Sequence, residues 1–448
     1  RNQFEKYLRH WIDAVHEACP WTQLTSNWMY TTFAPKKVEA KLDFLSGDYS
    51  PTLSVDRARV EARYLANTGM PWDLMAWGFN WADGQGHVIK PPCALQQEAG
   101  VVLMQGGGFQ IYYQPTRSGV IQDQIIDTTA EVGDFARDRQ EVSFRSETVP
   151  QVALLLSTES QFDRSDAVFT PYGCVAELEG ALHALLELNY SVDILAEHQL
   201  KPRLSDFPLV VVPNSHKLSE SFKRALRKYV KDGGSLLLMG EKCARQFTTL
   251  LGAKLVGEPE DIATDLGAEI GSASCNGLWQ AVESTKAEVV GERFATRDLS
   301  KPGEVAATVA KHGEGMVGAI YGPIALVYFQ THHFALREFI SNVTQRLFPT
   351  PLFATDAPAS VDISLRKTAK RKLSLHLLNL TNAQRAGGFL SADDIPPVGP
   401  INVLLRLDRK PREVTWEPSG RKLKFEYSRK LLEAKIPKLE IHGVLVIR

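Results

Sequence analysis

Apolar positions along the first third of the chain recur with two alternating periods. Phe4, Leu8, Trp11, Ile12 and Val15 fall three and four residues apart, the spacing of an amphipathic helix running to about Ala18. An extended stretch follows over Leu24 to Phe33. Short apolar runs then predict strands around Lys41 to Ser46, Trp72 to Gly78 and Phe109 to Gln114, with helical spacing between them over Arg57 to Asn67, Ala94 to Met104 and about Ile125 to Gln140. Four strand and helix units in succession imply parallel strands with right-handed crossovers. Four units are half of an eightfold barrel, and a chain that opens directly on a helix is expected to be preceded by further residues.

From Pro150 the texture changes. Val152 to Leu156, Val192 to Leu195, Leu209 to Val212 and Leu236 to Met239 are apolar at nearly every position, as strands covered on both faces are. Helical segments near Val175 to Leu188 and Glu220 to Val230 separate them, and Asp232-Gly233-Gly234 stops the second. This predicts a doubly wound parallel sheet. Residues 253 to 335 read as further strands with Gly-rich turns, closed by a helix over His333 to Leu347 and a Pro349/Pro351 linker. Beyond about 355 the pattern alternates, in Lys372 to Leu380, Ile401 to Leu407, Leu423 to Tyr427 and Gly443 to Ile447, as in an antiparallel β-sandwich. The expected fold is α/β: a partial (β/α)8 TIM barrel over 1–148, the doubly wound sheet over 149–350 and the β-sandwich over 351–448.

Composition narrows the function class. The chain has 448 residues, 44% hydrophobic and 23% charged, with a formal charge of -1. Near-neutrality leaves no footprint for nucleic acid or an anionic membrane. The basic run Arg366-Lys367-Thr368-Ala369-Lys370-Arg371-Lys372 reads as a solvated hairpin, since no aromatic residue interleaves it. No apolar run approaches the roughly 18 to 20 residues of a membrane span, and residues 1 to 18 hold no signal-peptide core, so a cytoplasmic protein is expected. The five cysteines, Cys19, Cys93, Cys174, Cys243 and Cys275, are too scattered for a metal knuckle or a disulfide framework. His332-His333 lacks a third ligand nearby and reads as a helix entry. Cys243 follows a strand of the doubly wound sheet but has no His or Glu partner at useful spacing, which argues against a Cys-His amidotransferase. No metal and no cofactor are called for.

Six of the eight tryptophans lie in the first 81 residues, and Trp28, Trp72, Trp77 and Trp81 sit beside Asn27, Asp43, Asp48, Asp73 and Asn80. Pyranose rings pack their C–H faces on indoles and present hydroxyls to fixed carboxylates and amides, so this mixture suits a carbohydrate ligand. Asp48, just beyond a predicted strand, is the candidate catalytic acid, although Gly-Asp is also ordinary turn chemistry; Asp43 lies within the strand. Trp77, Phe79 and Trp81, at every second position, form a stacking platform if the chain stays extended. Asn27, Trp28, Gln110 and, at the end of its strand, Arg117 complete the candidate substrate-binding set. Gln105-Gly106-Gly107-Gly108 leads into a strand rather than a helix, so it reads as a close-packed turn and not a phosphate cradle.

The order of these motifs resembles the family 42 β-galactosidases. Thr25-Ser26-Asn27-Trp28-Met29, then Leu42-Asp43 and Ser46-Gly47-Asp48-Tyr49-Ser50-Pro51, and later Phe109 to Gly119, match stretches of that family in order. The resemblance implies a half barrel, a flavodoxin-like trimerisation domain and a small β-sandwich, hence a homo-oligomer, trimer or hexamer. One run departs: where that family carries Leu-Leu-Met-Glu with its nucleophile, this chain has Asp73-Leu74-Met75-Ala76. Phe44-Leu45-Ser46-Gly47-Asp48-Tyr49-Ser50-Pro51 with Pro71-Trp72-Asp73-Leu74-Met75-Ala76-Trp77-Gly78-Phe79 is closer to a related clan of α-L-fucosidases, similar to glycoside hydrolase family 151. That likeness implies retaining hydrolysis of terminal α-L-fucosides, with an aspartate nucleophile upstream of Arg1. A β-galactosidase-like glycosidase and a non-catalytic carbohydrate-binding or scaffolding protein are the alternatives.

Overall fold

A computed structural model describes residues 2–82, 86–164, 175–269, 271–381, 384–386, 389–391 and 394–448. The chain divides into two compact units, residues 1–149 together with 352–448, and residues 150–351.

The first unit opens with α1 (Asn2–Ala18) and holds a three-stranded parallel sheet in the order β1 (Leu45–Asp48), β2 (Trp72–Trp77), β5 (Gly108–Tyr112). Between these strands lie α2 (Ser54–Leu65), the antiparallel hairpin β3 (Phe79–Ala82) with β4 (Gly86–Ile89), and α3 (Pro92–Leu103); α4 (Asp123–Ser143) and the short β6 (Glu147–Thr148) follow β5. Side chains alternate between the faces of each strand. Leu45, Leu74 and Ala76 have no exposed surface, and their face is the one α2 and α3 cover. Helix α3 starts where Pro91-Pro92 supplies a ready first turn and ends at Leu103, three residues before Gly106, whose φ of 88° and contact with the Ser146 backbone exclude a side chain.

Two expectations about the entry to this sheet fail. The strand expected over Lys41 to Ser46 is displaced to Leu45–Asp48, because the Asp43 carboxylate is drawn to the Leu24 N–H at 2.7 Å and His16 Nε2 at 3.0 Å. The stretch expected to be extended over Leu24 to Phe33 makes a single parallel bridge, Asn27 to Ser46, and then turns, with Trp28 and Tyr30 at φ 66° and 64°. A left-handed conformation is costly for aromatic residues and persists only where tertiary contacts demand it.

Besides a hairpin of Gln384–Ala386 with Phe389–Ser391, residues 352–448 supply two antiparallel sheets, one of four strands with Ile401–Arg406 and Leu431–Ile436 at its centre, the other with five of its six strands, built on Val361–Lys367, Leu373–Asn379 and His442–Ile447. They share one apolar core that includes Ile363, Leu365, Leu375, Val403, Leu432 and Leu445. Strand β6 pairs with Val361–Lys367 and so joins the six-stranded sheet. Through this pairing residues 1–149 and 352–448 belong to one compact unit.

The polar face of that sheet is buried as well. Arg366, expected in a solvated hairpin, is 1% exposed: it donates to the Gln105 carbonyl at 2.8 Å, Gln105 Oε1 at 3.1 Å and the Ser146 carbonyl at 2.5 Å. Lys367, Lys370, Arg371 and Lys372 are exposed. His376 and His442 stack at 5.5 Å between ring centres, and burial holds both below the ordinary imidazole range, so they are neutral.

The second unit is built on a nine-stranded mixed sheet. Val192–Ala196, Val152–Leu156, Leu209–Pro213, Ser235–Met239 and Gly315–Ile320 run parallel in that spatial order, and Glu304–His312, Glu288–Phe294, Asp265–Ala268 and Gly271–Ser274 continue it antiparallel. The first four parallel strands are buried at every position, as their unbroken apolar runs require. A separate ribbon pairs Ala253–Ile262 with Gly277–Ser284. His333 caps the helix Phe334–Leu347, its Nδ1 accepting the Ala335 N–H. Among the described residues no helix is long and apolar enough to cross a membrane.

Candidate functional site

In a parallel sheet, residues in register point the same way. The pairs Ser46 with Asp73, Asp48 with Met75, Met75 with Gln110 and Trp77 with Tyr112 place all seven on the face of β1, β2 and β5 opposite the helices. Asp48, Trp77 and Tyr112 occupy the C-terminal strand ends, where parallel α/β sheets build their ligand sites.

Asp48 is 7% exposed, and both of its carboxylate oxygens accept indole N–H bonds. Trp28 Nε1 donates to Oδ1, and Trp77 Nε1 donates to Oδ2 at 2.9 Å. Burial pushes this carboxyl above the usual range, opposed by Trp77, by its own backbone N–H and by the Asn27 side chain. The ring centre of Trp28 lies 5.6 Å from that of Phe33; that of Trp77 lies 5.4 Å from Phe79 and 5.5 Å from Tyr112. One acid and two indoles from three chain segments thus form a single constellation.

Deeper on the same face, Asp73 accepts from Ser46 Oγ at 2.6 Å and from the Gln110 side chain, and burial raises its carboxyl. Other sequence candidates are placed elsewhere. Asp43 is spent on Leu24 and His16, bonds that hold its carboxyl low. Phe79 is fully buried, because the strand breaks at Gly78 and the chain turns into β3, so its ring packs against Trp77 and Tyr112 instead of standing exposed beside Trp77. The Trp81 side chain lies outside the described residues, as does Cys174. Arg117 is exposed in the turn closed by Thr116 and Val120.

Two buried glutamates support the site and carried no signal in the sequence. Glu61 of α2 accepts the Thr32 N–H at 3.1 Å and the Thr32 hydroxyl, holding the Trp28 segment from behind, and burial pushes its carboxyl up to about 7. Glu98 of α3 accepts from Tyr49 Oη at 2.8 Å and from Ser54 Oγ and Lys90 Nζ at 2.7 Å each, tying down the loop that leaves Asp48. A single acidic residue in a helix looks the same whether it faces water or a strand end.

Ala76, at the position the resemblance gives to a nucleophile, lies on the covered face beside Leu74. The residues of β2 that face the site are Met75 and Trp77.

In the second unit Glu187 accepts from Tyr328 Oη, His332 Nδ1 at 3.0 Å and Arg337 Nη1 at 2.7 Å, and the His332 ring lies 5.3 Å from Tyr328 and 5.1 Å from His183, so this acid is held by a cation and by rings that pack on one another. A cavity of about 590 Å3 lies where Leu209–Pro213 and Ser235–Met239 begin, and there Tyr229 Oη donates to the carbonyls of Phe207 and Ser235. Cys243 is buried and its thiol is pushed up by burial and by the charge of Glu241, which leaves it un-ionised. Among the described residues no group of three or more His, Cys, Asp or Glu side chains is placed to hold a metal ion.

No protein-family model and no curated protein matches the chain. Solved structures do. An α-L-fucosidase, isoenzyme 2 from Paenibacillus thiaminolyticus, superposes with a TM-score of 0.77 at 20% identity, over 91% of this chain and 65% of that one. A β-galactosidase from Bacillus circulans sp. alkalophilus gives 0.68 at 16% identity, over 97% and 65%. A family 42 β-galactosidase from G. stearothermophilus, solved as a catalytic mutant, gives 0.67 at 15% identity, over 98% and 65%. The chain spans 65% of the length of each of these structures. It shares the fold of these glycoside hydrolases, and resembles the family 42 β-galactosidases and the α-L-fucosidase in architecture.

Proposed function

We propose that the chain is part of a glycosidase acting on terminal α-L-fucosides, with the sugar seated at the C-terminal ends of β1, β2 and β5. The observation that carries this reading is Asp48 between the indoles of Trp28 and Trp77, on the ligand-bearing edge of a parallel sheet. It is supported by the fold shared with an α-L-fucosidase. On this reading the three parallel strands belong to a (β/α)8 barrel, Asn27, Trp28, Trp77 and Gln110 line the sugar pocket, and the second unit is the oligomerisation domain. The reacting aspartate is the one the resemblance places upstream of Arg1. The complete gene product, screened against aryl α-L-fucosides and aryl β-galactosides, is expected to release the phenol from the fucosides. Turnover of β-galactosides alone would replace the substrate, and silence on both would overturn the reading.

A second reading, carbohydrate binding without turnover, is favoured by the engagement of both Asp48 oxygens and by the orientation of Ala76 away from the site. Calorimetry with fucose on a complete gene product that hydrolyses no fucoside would favour it.

A further inference from the structure

We propose that Asp48 is a positioning residue: it holds the indoles of Trp28 and Trp77 as two walls of one pyranose subsite, and neither donates a proton to the glycoside nor bonds to its anomeric carbon. The inference rests on the sugar-site reading above and assigns the acid its part in it.

Occupancy of the oxygens is the first argument. A glycosidase nucleophile needs an oxygen with an open path to the anomeric carbon, and a general acid needs a proton facing the leaving oxygen; Asp48 is 7% exposed, and three donors take most of the roughly four acceptor sites of its carboxylate. Asp48 has Oδ1 turned to Trp28 Nε1–H and Oδ2 to Trp77 Nε1–H, with the Asn27 side chain as a further donor. A protonated carboxyl would set its own O–H against an indole N–H. Three donors converging on the acid favour its ionised form, against burial, which pushes its carboxyl up.

The second argument concerns the rings. An indole has one donor, and when buried it needs one acceptor. Here a single carboxylate serves two indoles from different segments, Trp28 from the turn after the Asn27 bridge and Trp77 from the end of β2. Each ring is fixed along its N–H edge by Asp48 and flanked by another aromatic ring, Phe33 in one case and Phe79 with Tyr112 in the other. Both keep part of their surface exposed. Flat apolar walls with locked edges suit a neutral pyranoside that presents a C–H face.

The test reads the indoles directly. In the 448-residue chain carrying 15N-labelled tryptophan, the Nε1–H resonances of Trp28 and Trp77 are assigned by Trp28→Phe and Trp77→Phe. Asp48→Asn is expected to move both signals together while leaving the other indoles in place and, in the complete gene product, to weaken binding of methyl α-L-fucoside or methyl β-D-galactoside at least tenfold. Trp28→Phe is expected to shift the Trp77 signal, because the two share one acceptor. Unchanged signals in Asp48→Asn would overturn the proposal. So would azide-dependent recovery of aryl fucoside turnover in Asp48→Ala of the complete gene product, the signature of a reacting carboxylate. If the complete gene product binds neither glycoside, the sugar reading falls by itself, and the indole signals still decide whether Asp48 sets the two rings.

Discussion

Arg59 grips Asp362 across 303 residues of sequence, with Nε donating to Oδ2 at 3.0 Å and Nη2 to Oδ1 at 3.1 Å. Arg63 adds a third bond to the same carboxylate at 3.2 Å, and Asp362 is 1% exposed. Removing one partner of a buried ion pair costs up to about 3–5 kcal/mol, and Asp56, whose Oδ1 lies 3.3 Å from Arg59 Nη1, offsets part of that for Arg59. Asp362→Ala is expected to lower stability by up to that amount in urea unfolding followed by tryptophan fluorescence. Replacing Asp56, Arg59, Arg63 and Asp362 together by apolar residues is expected to recover much of the loss. A loss below about 1 kcal/mol in the single variant would show that the pair does not join α2 to the six-stranded sheet energetically.

Gly78 ends β2 immediately after Trp77, and its N–H donates to the Tyr112 carbonyl at 2.9 Å. A Cβ there would lie 2.2 Å from the Tyr113 ring. Gly78→Ala must displace that ring, and overpacking of this kind costs about 1–3 kcal/mol. The melting temperature is expected to fall, and the near-ultraviolet dichroism of the Trp77 cluster to change with it. A variant with both unchanged would show that Tyr113 moves aside freely.

Glu61 is pushed up to about 7 by burial, from an ordinary value of 4.5. Between these values the folded chain holds the proton more firmly than the unfolded chain, so this residue's contribution to stability falls as pH rises through the window, by up to about 1.4 kcal/mol per pH unit. It is level below 4.5 and above about 7. Glu61→Gln removes the term, so the stability of the variant relative to the parent is expected to rise from pH 4.5 to 7. A difference independent of pH over that range would show that Glu61 does not titrate there.

Cys243 and Cys275 are buried, and burial pushes the Cys275 thiol up to about 12. Thiolate is the species that alkylates. Iodoacetamide at neutral pH is expected to modify Cys19 and Cys93, which are partly exposed, and to spare Cys243 and Cys275 until denaturant is added. Rapid native labelling of Cys243, read by peptide mass spectrometry, would reopen the thiol chemistry that its position after a strand suggests.

The last domain shows how far periodicity carries. Ile363 and Leu365 alternate with Asp362, Ser364 and Arg366, and that alternation alone identifies a strand with one apolar face. It cannot say what lies over the polar face. Water is the usual cover, but here all three polar side chains are buried, Asp362 on Arg59 and Arg63, and Arg366 on Gln105 and Ser146. Such partners sit hundreds of residues away, beyond any local pattern.

The candidate site divides the same way. Asn27, Trp28, Asp48 and Trp77 were legible as a sugar-type mixture of residues, and they meet in space; Gln110 joins them one layer down through Asp73. Asp43 and Arg117 shared the composition but not the place, and Phe79, beyond the break at Gly78, is buried against Trp77 rather than exposed beside it. Glu61 and Glu98 were invisible, since helical spacing shows which face is apolar and not which acid is enclosed.

Helical and strand periods, the unbroken apolar runs of the buried parallel strands and the glycine stops are properties of a few neighbouring residues, and the amino-acid sequence determined them by itself, because backbone geometry sets which side chains share a face. The tertiary structure alone decided that Asp48 would meet indoles 20 and 29 residues away, and that the final strands would close on the first helices. Those contacts depend on which strands lie side by side, and no local period encodes that choice.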